Sequence, residues 1–361
     1  MSFSTIAIQA LPVIVAAFAA AALVALAVTP WVGRLVTKRA IIDHPDERRV
    51  HARPVPRGGG IAVALAFVVV GAPLAFLARE LPGMLVPRSI TSDNLVALFA
   101  GGTLAVVLGA LDDRFDLRAR WQFAGQLGLA LVAVVGGVIV AFVSDPFGSG
   151  NVRVEAVIGI GFTVVWVVGM INSLNFIDGL DGLSTGIALI AAVTLGVISL
   201  AVGVVQPFVA MLCFTLAGAL LGFLRWNFHP ATIFQGTAGV MFLGYVLAVL
   251  SILGFAKVVV ALLVLAVPII DTFWVIVRRV STGRSPFSPD RGHIHHRLLD
   301  VGLSHRATVL LIYAICATLG ILSLFVSTLV GVLTFLAALV AFGIMAFMLR
   351  GQRGSDRREA T

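Results

Sequence analysis

The 361-residue chain is 60% apolar and only 12% charged, roughly half the charged share of an ordinary soluble domain, so a water-soluble globular fold is excluded. A bilayer core of roughly 30 Å takes about 20 apolar residues per helix, and ten or eleven such helices use nearly all the apolar residues available. A net charge of +8 would suggest nucleic acid in a soluble protein; here the basic residues lie between apolar runs, where they report membrane topology, and no nucleic-acid partner is expected.

In chain order the apolar runs fall at 6–29, 59–78, 94–111, 122–143, 156–171, 183–205, 207–224, 238–253, 257–277, 308–327 and 329–349. They predict an all-α polytopic membrane protein of about 11 transmembrane helices, with ten still open because hairpins at Gln206-Pro207 and Ser327 leave almost no loop. Residues 1–361 then form one transmembrane unit and 350–361 a short tail. The first run has no Lys or Arg before it and is too long for the apolar region of a cleaved signal peptide, so it is read as a span. Cys213 and Cys316 sit inside apolar runs, and no disulfide is expected. Alternating the connections puts 21 of the 25 Lys and Arg on one side and only Arg79, Arg88, Arg153 and Lys257 on the other. That asymmetry places the N-terminus outside and the C-terminus in the cytoplasm. All 7 histidines and 13 of the 17 carboxylates, Asp271 among them, share the cytoplasmic side. Charge balance does not require this gathering, so that face reads as a site.

Four clusters on it carry chemistry. Asp112-Asp113-Arg114-Phe-Asp116-Leu-Arg118-Ala-Arg120 ends the third run. Adjacent carboxylates on a helix cannot face one partner, so one binds while the other orients; an interfacial anchor of mixed charge is the plainer alternative. Asn172-Ser-Leu-Asn175-Phe-Ile-Asp178-Gly179-Leu180-Asp181-Gly182 is read as a cytoplasmic loop without a basic residue. Polar groups every third position share one wall of a 3₁₀ turn, and two carboxylates without a local cation suit Mg²⁺; a helix cap beside a turn is the alternative. Arg225 to Gly239 is a polar loop re-entering a span through glycines, either a nest of amides for an anion or simply a loop. The segment from Arg278 to Arg297 carries Arg284, Arg291, His293, His295, His296 and Arg297. With no cysteine nearby, zinc is disfavoured, and phosphate donors or a basic loop on anionic lipid heads remain.

Together these motifs resemble the polyprenyl-phosphate N-acetylhexosamine-1-phosphate transferase superfamily. The resemblance runs from Asp46–Gly59 through Asp112-Asp113, Asn172–Leu183 and Pro230-Ala-x-x-Phe234 to His293-Ile-His-His-Arg297, most of the chain. The His-Ile-His-His-Arg form is similar to the branch transferring N-acetylglucosamine-1-phosphate. The resemblance implies transfer of a sugar-1-phosphate from a UDP-N-acetylhexosamine to undecaprenyl phosphate, with release of UMP, at the bacterial cytoplasmic membrane, dependent on Mg²⁺ or Mn²⁺. It implies Asp112 and Asp113 near the lipid phosphate, Asn175 and Asp178 near metal and diphosphate, and Asp181 near the nucleoside. His293, His295, His296 and Arg297 would grip the diphosphate, with His51, Arg118, Arg120, Asn172, Gly179 and Arg291 completing the substrate-binding set. A homodimer is allowed, and no soluble protein partner is implied.

One stretch departs from the family pattern. Where the family reads Phe-Met-Gly-Asp-x-Gly-Ser, with the Asp a metal ligand, this chain reads Phe234-Gln235-Gly236-Thr237-Ala-Gly239-Val240. A neutral hydroxyl replaces an anionic oxygen poorly at a divalent cation. Either another carboxylate such as Asp178 takes the metal, or the chain is an impaired or non-catalytic relative, or the residue was changed to trap a ligand; the departures at Gln235 and Val240 favour natural divergence. A secondary transporter would hold its ionisable groups near the midplane in broken helices, whereas here they crowd one face.

Overall fold

The computed structural model describes residues 3–43, 54–81, 83–144, 151–201, 205–254, 258–285 and 292–359. Most of them are helical: α1 (Phe3–Lys38), α2 (Gly60–Phe76), α3 (Ser92–Phe115), α4 (Ala119–Val135), α5 (Ala156–Ile177), α6 (Leu183–Leu200), α7 (Pro207–Asn227), α8 (Gly236–Leu253), α9 (Val258–Val264), α10 (Ala266–Ser281), α11 (Ile294–Asp300), α12 (His305–Ser323) and α13 (Thr328–Glu359). Two small antiparallel pairs accompany the helices, β1 (Ile42–Asp43) with β2 (Val55–Pro56) and β3 (Phe142–Ser144) with β4 (Asn151–Arg153).

Each of the eleven apolar runs overlaps a helix, but length and hydropathy qualify fewer of them to cross a bilayer. Seven helices pass among the described residues, α1, α3, α5, α6, α7, α8 and α12, and the bent pair α9–α10 makes an eighth if it is one span. α2, α4 and residues Thr328–Gly343 of α13 are shorter apolar helices. This is a multi-pass membrane architecture.

Local chemistry explains where helices and runs part company. The run at 122–143 leaves the helix at Gly136-Gly137: Gly137 takes φ +76°, and Val138 N–H reaches back to the Ala133 carbonyl at 2.9 Å, a C-terminal stop that glycine makes cheaply. The run at 257–277 is broken, α9 and α10 meeting at 77°. Pro268, in the first turn of α10, has no N–H for the Val264 carbonyl and its ring crowds the preceding turn. Asn172 and Asn175, expected in a loop, belong to the last turns of α5.

The bundle is built around α8, which is almost wholly buried and packs on α3 and α5, and α7, which packs between α1 and α6. Lipid-bathed helices gain little from apolar contact alone and approach closely through small residues. A Cβ on Gly218 or Gly222 of α7 would lie 2.1 or 2.2 Å from the Phe18 or Ala22 carbonyl of α1. Gly60 likewise rests on Gly239, where an added Cβ would fall 2.0 Å from the Gly239 Cα. That contact seats the β2–α2 junction on the first turn of α8. The ends of α3, α5 and α7 and the starts of α4, α6 and α8 meet at this end of the bundle.

Candidate functional site

At that end lies a cavity of about 340 Å³ whose walls come from well-separated parts of the sequence. Asp43 and Arg57 flank the β1–β2 pair, Asn175, Asp178, Gly179 and Asp181 come from the α5–α6 turn, Asn227 ends α7, Gln235, Gly236 and Thr237 begin α8, and His296 and His305 come from α11 and α12.

The two adjacent aspartates divide their roles. Asp113 accepts the N–H groups of Thr237 at 2.8 Å and Ala238 at 3.0 Å, a carboxylate at a helix N-terminus where orphan amides and the helix dipole favour it. It also meets the Arg57 guanidinium at 3.4 Å, which lies 3.7 Å from Asp43 on its other side. Asp112 faces away from the cavity, accepting from Leu117 N–H at 3.1 Å and Gln122 Nε2 at 2.7 Å, and so shapes the turn into α4. Arg118 and Arg120 are exposed beside this turn and do not line the cavity.

The third-position repeat is only partly collected. Asn172 donates to Gln126 Oε1 at 2.6 Å and to the Val168 carbonyl, and is not among the cavity residues. Three residues turn an α-helix by about 300°, so two steps of the repeat drift by about 120°; because α5 persists through Ile177, Asn172 points elsewhere. Asp178 leaves the helix and accepts from Ser184 Oγ at 2.5 Å. Burial pushes its carboxyl up to about 6, against the downward pull of the Ser184 hydrogen bond and the Arg57 charge. Asp181 accepts Ala231 N–H at 3.0 Å and pairs with His229 Nδ1 at 2.7 Å. His229 stacks on His305, ring centroids 4.0 Å apart, and Asp181, His229 and His305 offer three ligand-capable atoms within 4.8 Å of one another.

The histidine segment is divided as well. His293 is buried and held by Asp271, Nδ1 to Oδ2 at 2.7 Å, while the other Asp271 oxygen takes Ile294 N–H at 2.8 Å. His295 is 1% exposed, neither of its ring nitrogens has a partner among the described residues, and burial first, then the neighbouring histidine charges, hold it well below the usual imidazole range. It lies directly on Gly179, where an added Cβ would come 2.2 Å from His295 Nε2. Gly179→Ala is therefore expected to push α11 off the α5–α6 turn at a cost of about 1–3 kcal/mol, read as a lower Tm together with reduced activity; an unchanged Tm would refute that contact. His296 alone of the three lines the cavity. Arg297 donates from Nε to the Gly292 carbonyl and lines a separate cavity of about 110 Å³ with Asp271 and Arg278. His51 and Arg291 lie outside the described residues.

Arg57, Asp43 and His305, outside the four sequence clusters, complete the wall with Asn227 and Gln235 of the Arg225–Gly239 segment. Arg57 had a local signal, a cation between two prolines and a glycine triplet, Pro54-Val-Pro56-Arg57-Gly-Gly-Gly60. The hydroxyls of Ser184 and Thr185, in the first turn of α6, join Asp178, Gln235 and Asn227 in one relay. Carboxylate, amide and hydroxyl oxygens sharing one cavity with the Arg57 guanidinium and the His296 imidazole suit a divalent cation together with a polyanion.

Residues 95–255 match the family described as glycosyl transferase family 4. Over 308 residues the chain is 38% identical to the probable undecaprenyl-phosphate N-acetylglucosaminyl 1-phosphate transferase of Bacillus subtilis, covering 84% of this chain and 82% of that one. The decaprenyl-phosphate N-acetylglucosaminephosphotransferase of Mycolicibacterium smegmatis is 39% identical over 81% of this chain and 77% of its own length. A Thermotoga maritima protein named undecaprenyl-phosphate alpha-N-acetylglucosaminyl 1-phosphate transferase is 32% identical over 76% and 78%. The helical membrane bundle with its polar end cavity thus belongs to glycosyl transferase family 4. Within it, the chain falls in the polyprenyl-phosphate N-acetylglucosamine-1-phosphate transferase branch.

Proposed function

We propose that the chain transfers N-acetylglucosamine-1-phosphate from UDP-N-acetylglucosamine to undecaprenyl phosphate, giving the lipid diphosphate-sugar and UMP, and so starts a cell-envelope polysaccharide. The observation that carries this reading is the single cavity joining Arg57, Asn175, Asp178, Asp181, Thr237 and His296 from distant segments. The basic asymmetry of the connections supports eleven passes through the bacterial cytoplasmic membrane, with this cavity on the cytoplasmic side.

Charge is the physical problem. Two unit negative charges about 4 Å apart repel by roughly 4 kcal/mol at an effective dielectric near 20, and a lipid phosphate approaching a diphosphate multiplies that. An oxygen of the lipid phosphate attacks the sugar-bearing β-phosphorus; that O–P bond forms as the bridging O–P bond breaks, and the electron pair leaves with UMP. The attacking phosphate is already ionised at neutral pH, so no side chain has to remove a proton. Arg57 and His296 face the cavity to meet the anions, while Asp113 and Asp112 hold α8 and the α3–α4 turn in place. Asp178, Asn175 and Thr237 would hold Mg²⁺, or Mn²⁺ in its place; the group supplies Lewis-acid neutralisation of the diphosphate. A partly buried carboxylate in a relay of oxygens fits that ion, and Thr237 contributes only a hydroxyl.

The test is transfer of radiolabel from UDP-N-acetylglucosamine to undecaprenyl phosphate in membranes carrying the full chain. Lipid-linked product is expected with Mg²⁺, lost with EDTA and restored by Mn²⁺. Absence of product from every UDP-N-acetylhexosamine would overturn the reading.

A further inference from the structure

We infer that the Gln235 carboxamide turns its carbonyl oxygen into the cavity, where it serves as a neutral oxygen ligand for a divalent cation at a site whose neighbouring residue is Thr237. The inference rests on the metal-dependent transfer proposed above and names the residue that offsets the missing aspartate.

Gln235 is 1% exposed and lines the cavity at the start of α8. Two hydroxyls face one atom of its carboxamide end, Ser184 Oγ at 2.9 Å and Thr185 Oγ1 at 2.5 Å. The other terminal atom is buried with no partner among the described residues. A half-turn of a primary amide exchanges oxygen and nitrogen without changing its shape, so hydrogen counting decides which faces which.

Thr185 has a single hydroxyl hydrogen and also lies 2.6 Å from Asn227 Oδ1. The Asn227 orientation is fixed, because its Nδ2 donates to the Ile233 carbonyl at 3.0 Å. Ser184 likewise has one hydrogen, directed to Asp178 Oδ1 at 2.5 Å. Were the Gln235 oxygen to face the two hydroxyls, three acceptors would share two hydrogens, and two N–H groups would be buried without an acceptor. With the amino group there instead, each N–H donates to one hydroxyl, and each hydroxyl donates onward, to Asp178 or to Asn227. Every donor in the relay is then used, and what remains is one buried, unpartnered carbonyl oxygen on a residue that lines the cavity. Thr185 forces this outcome whether or not Asp178 is ionised, since its contest lies between Gln235 and Asn227 alone.

The relay ties that oxygen to Asp178 through one hydroxyl and sets it two residues before Thr237. A hard divalent cation takes oxygen donors, accepts neutral carbonyls among them, and needs few from the protein. The two hydroxyls lock the amino group, so the carbonyl is oriented before any ion arrives. Positions 235 and 237 therefore depart from the family pattern together because they share one task.

The test is Mn²⁺ binding to the purified full chain in detergent, followed by the resonance of free Mn²⁺, with no substrate present. Gln235→Met keeps the side-chain length and removes the oxygen; binding is expected to weaken by about tenfold or more. Thr237→Asp, which adds an anionic oxygen, is expected to tighten binding, and the Gln235→Met/Thr237→Asp double variant to recover what Gln235→Met lost. Equal or tighter binding by Gln235→Met overturns the inference alone, as does a loss that the double variant fails to restore. If neither the wild-type chain nor Thr237→Asp binds Mn²⁺, the metal-dependent reading fails and the inference with it.

Discussion

Asp178→Asn is expected to abolish transfer while making the protein more stable. Partial burial pushes the Asp178 carboxyl from 3.8 up to about 6, so its ionised form opposes folding. That penalty is absent below about pH 4, grows as the pH rises towards 6, and reaches about 3 kcal/mol above it. Asparagine carries no charge and its Oδ1 still accepts from Ser184, so Tm at pH 7.5 should rise by a few degrees. Activity should fall by about a thousandfold or more, because an amide is a weak replacement for an anionic ligand opposite a diphosphate. In the wild-type chain the acid limb of the transfer rate is expected near pH 6 at limiting Mg²⁺. Saturating Mg²⁺ should move it lower, because proton and cation compete for the same oxygens. A variant that keeps its transfer rate, or loses stability at pH 7.5, would remove Asp178 from the centre of the site.

The second large effect is expected at Arg57. Its guanidinium lies between two carboxylates, 3.4 Å from Asp113 and 3.7 Å from Asp43, whose side chains are 1% and 9% exposed against 30% for its own. Arg57→Ala takes a cation from the cavity wall and removes the guanidinium that two nearly buried acids share. A fall in kcat/KM of about a hundredfold or more is expected. The stability cost should stay below the range typical of fully buried pairs, because the guanidinium is partly solvated. Arg57→Lys keeps the charge but cannot span both carboxylates in a fixed plane, so it should recover only part of the rate. Steady-state kinetics with both substrates varied separate the effects: loss shared by KM for both anions fits neutralisation, whereas loss of Tm without a kinetic change would leave Arg57 a structural pin.

How much of this was legible in the sequence depends on the range of each interaction. Apolar runs mark helices because every lipid-facing turn must be apolar, and all eleven runs overlap one. Their ends were less legible where apolar residues continue past a local stop, as at Gly136-Gly137, or where Pro268 bends an unbroken apolar stretch. The Asp178-to-Asp181 turn could be read because its residues are close in sequence and lack a local cation. Asn172 stays outside the cavity because α5 continues past it and turns it towards Gln126. Of the three clustered histidines, only His296 lines the cavity; His293 is held by Asp271, and His295 rests on Gly179. Asn227 and Gln235 lie in the segment the sequence marks as an anion nest or a loop, but their partners are not legible there. Their roles come from hydroxyls more than 40 positions away in sequence, and no periodicity records such a meeting.

The cavity draws on Asp43 and Arg57 near one end of the chain and on His305 near the other. Polypeptide enters the membrane in the order it is synthesised, so the last wall arrives only when α12 is delivered. A product cut short before that point would carry most of the bundle yet have a breached, water-flooded hollow. Assembly is for that reason all-or-nothing with respect to chemistry: truncated species should be inert bystanders in the bilayer.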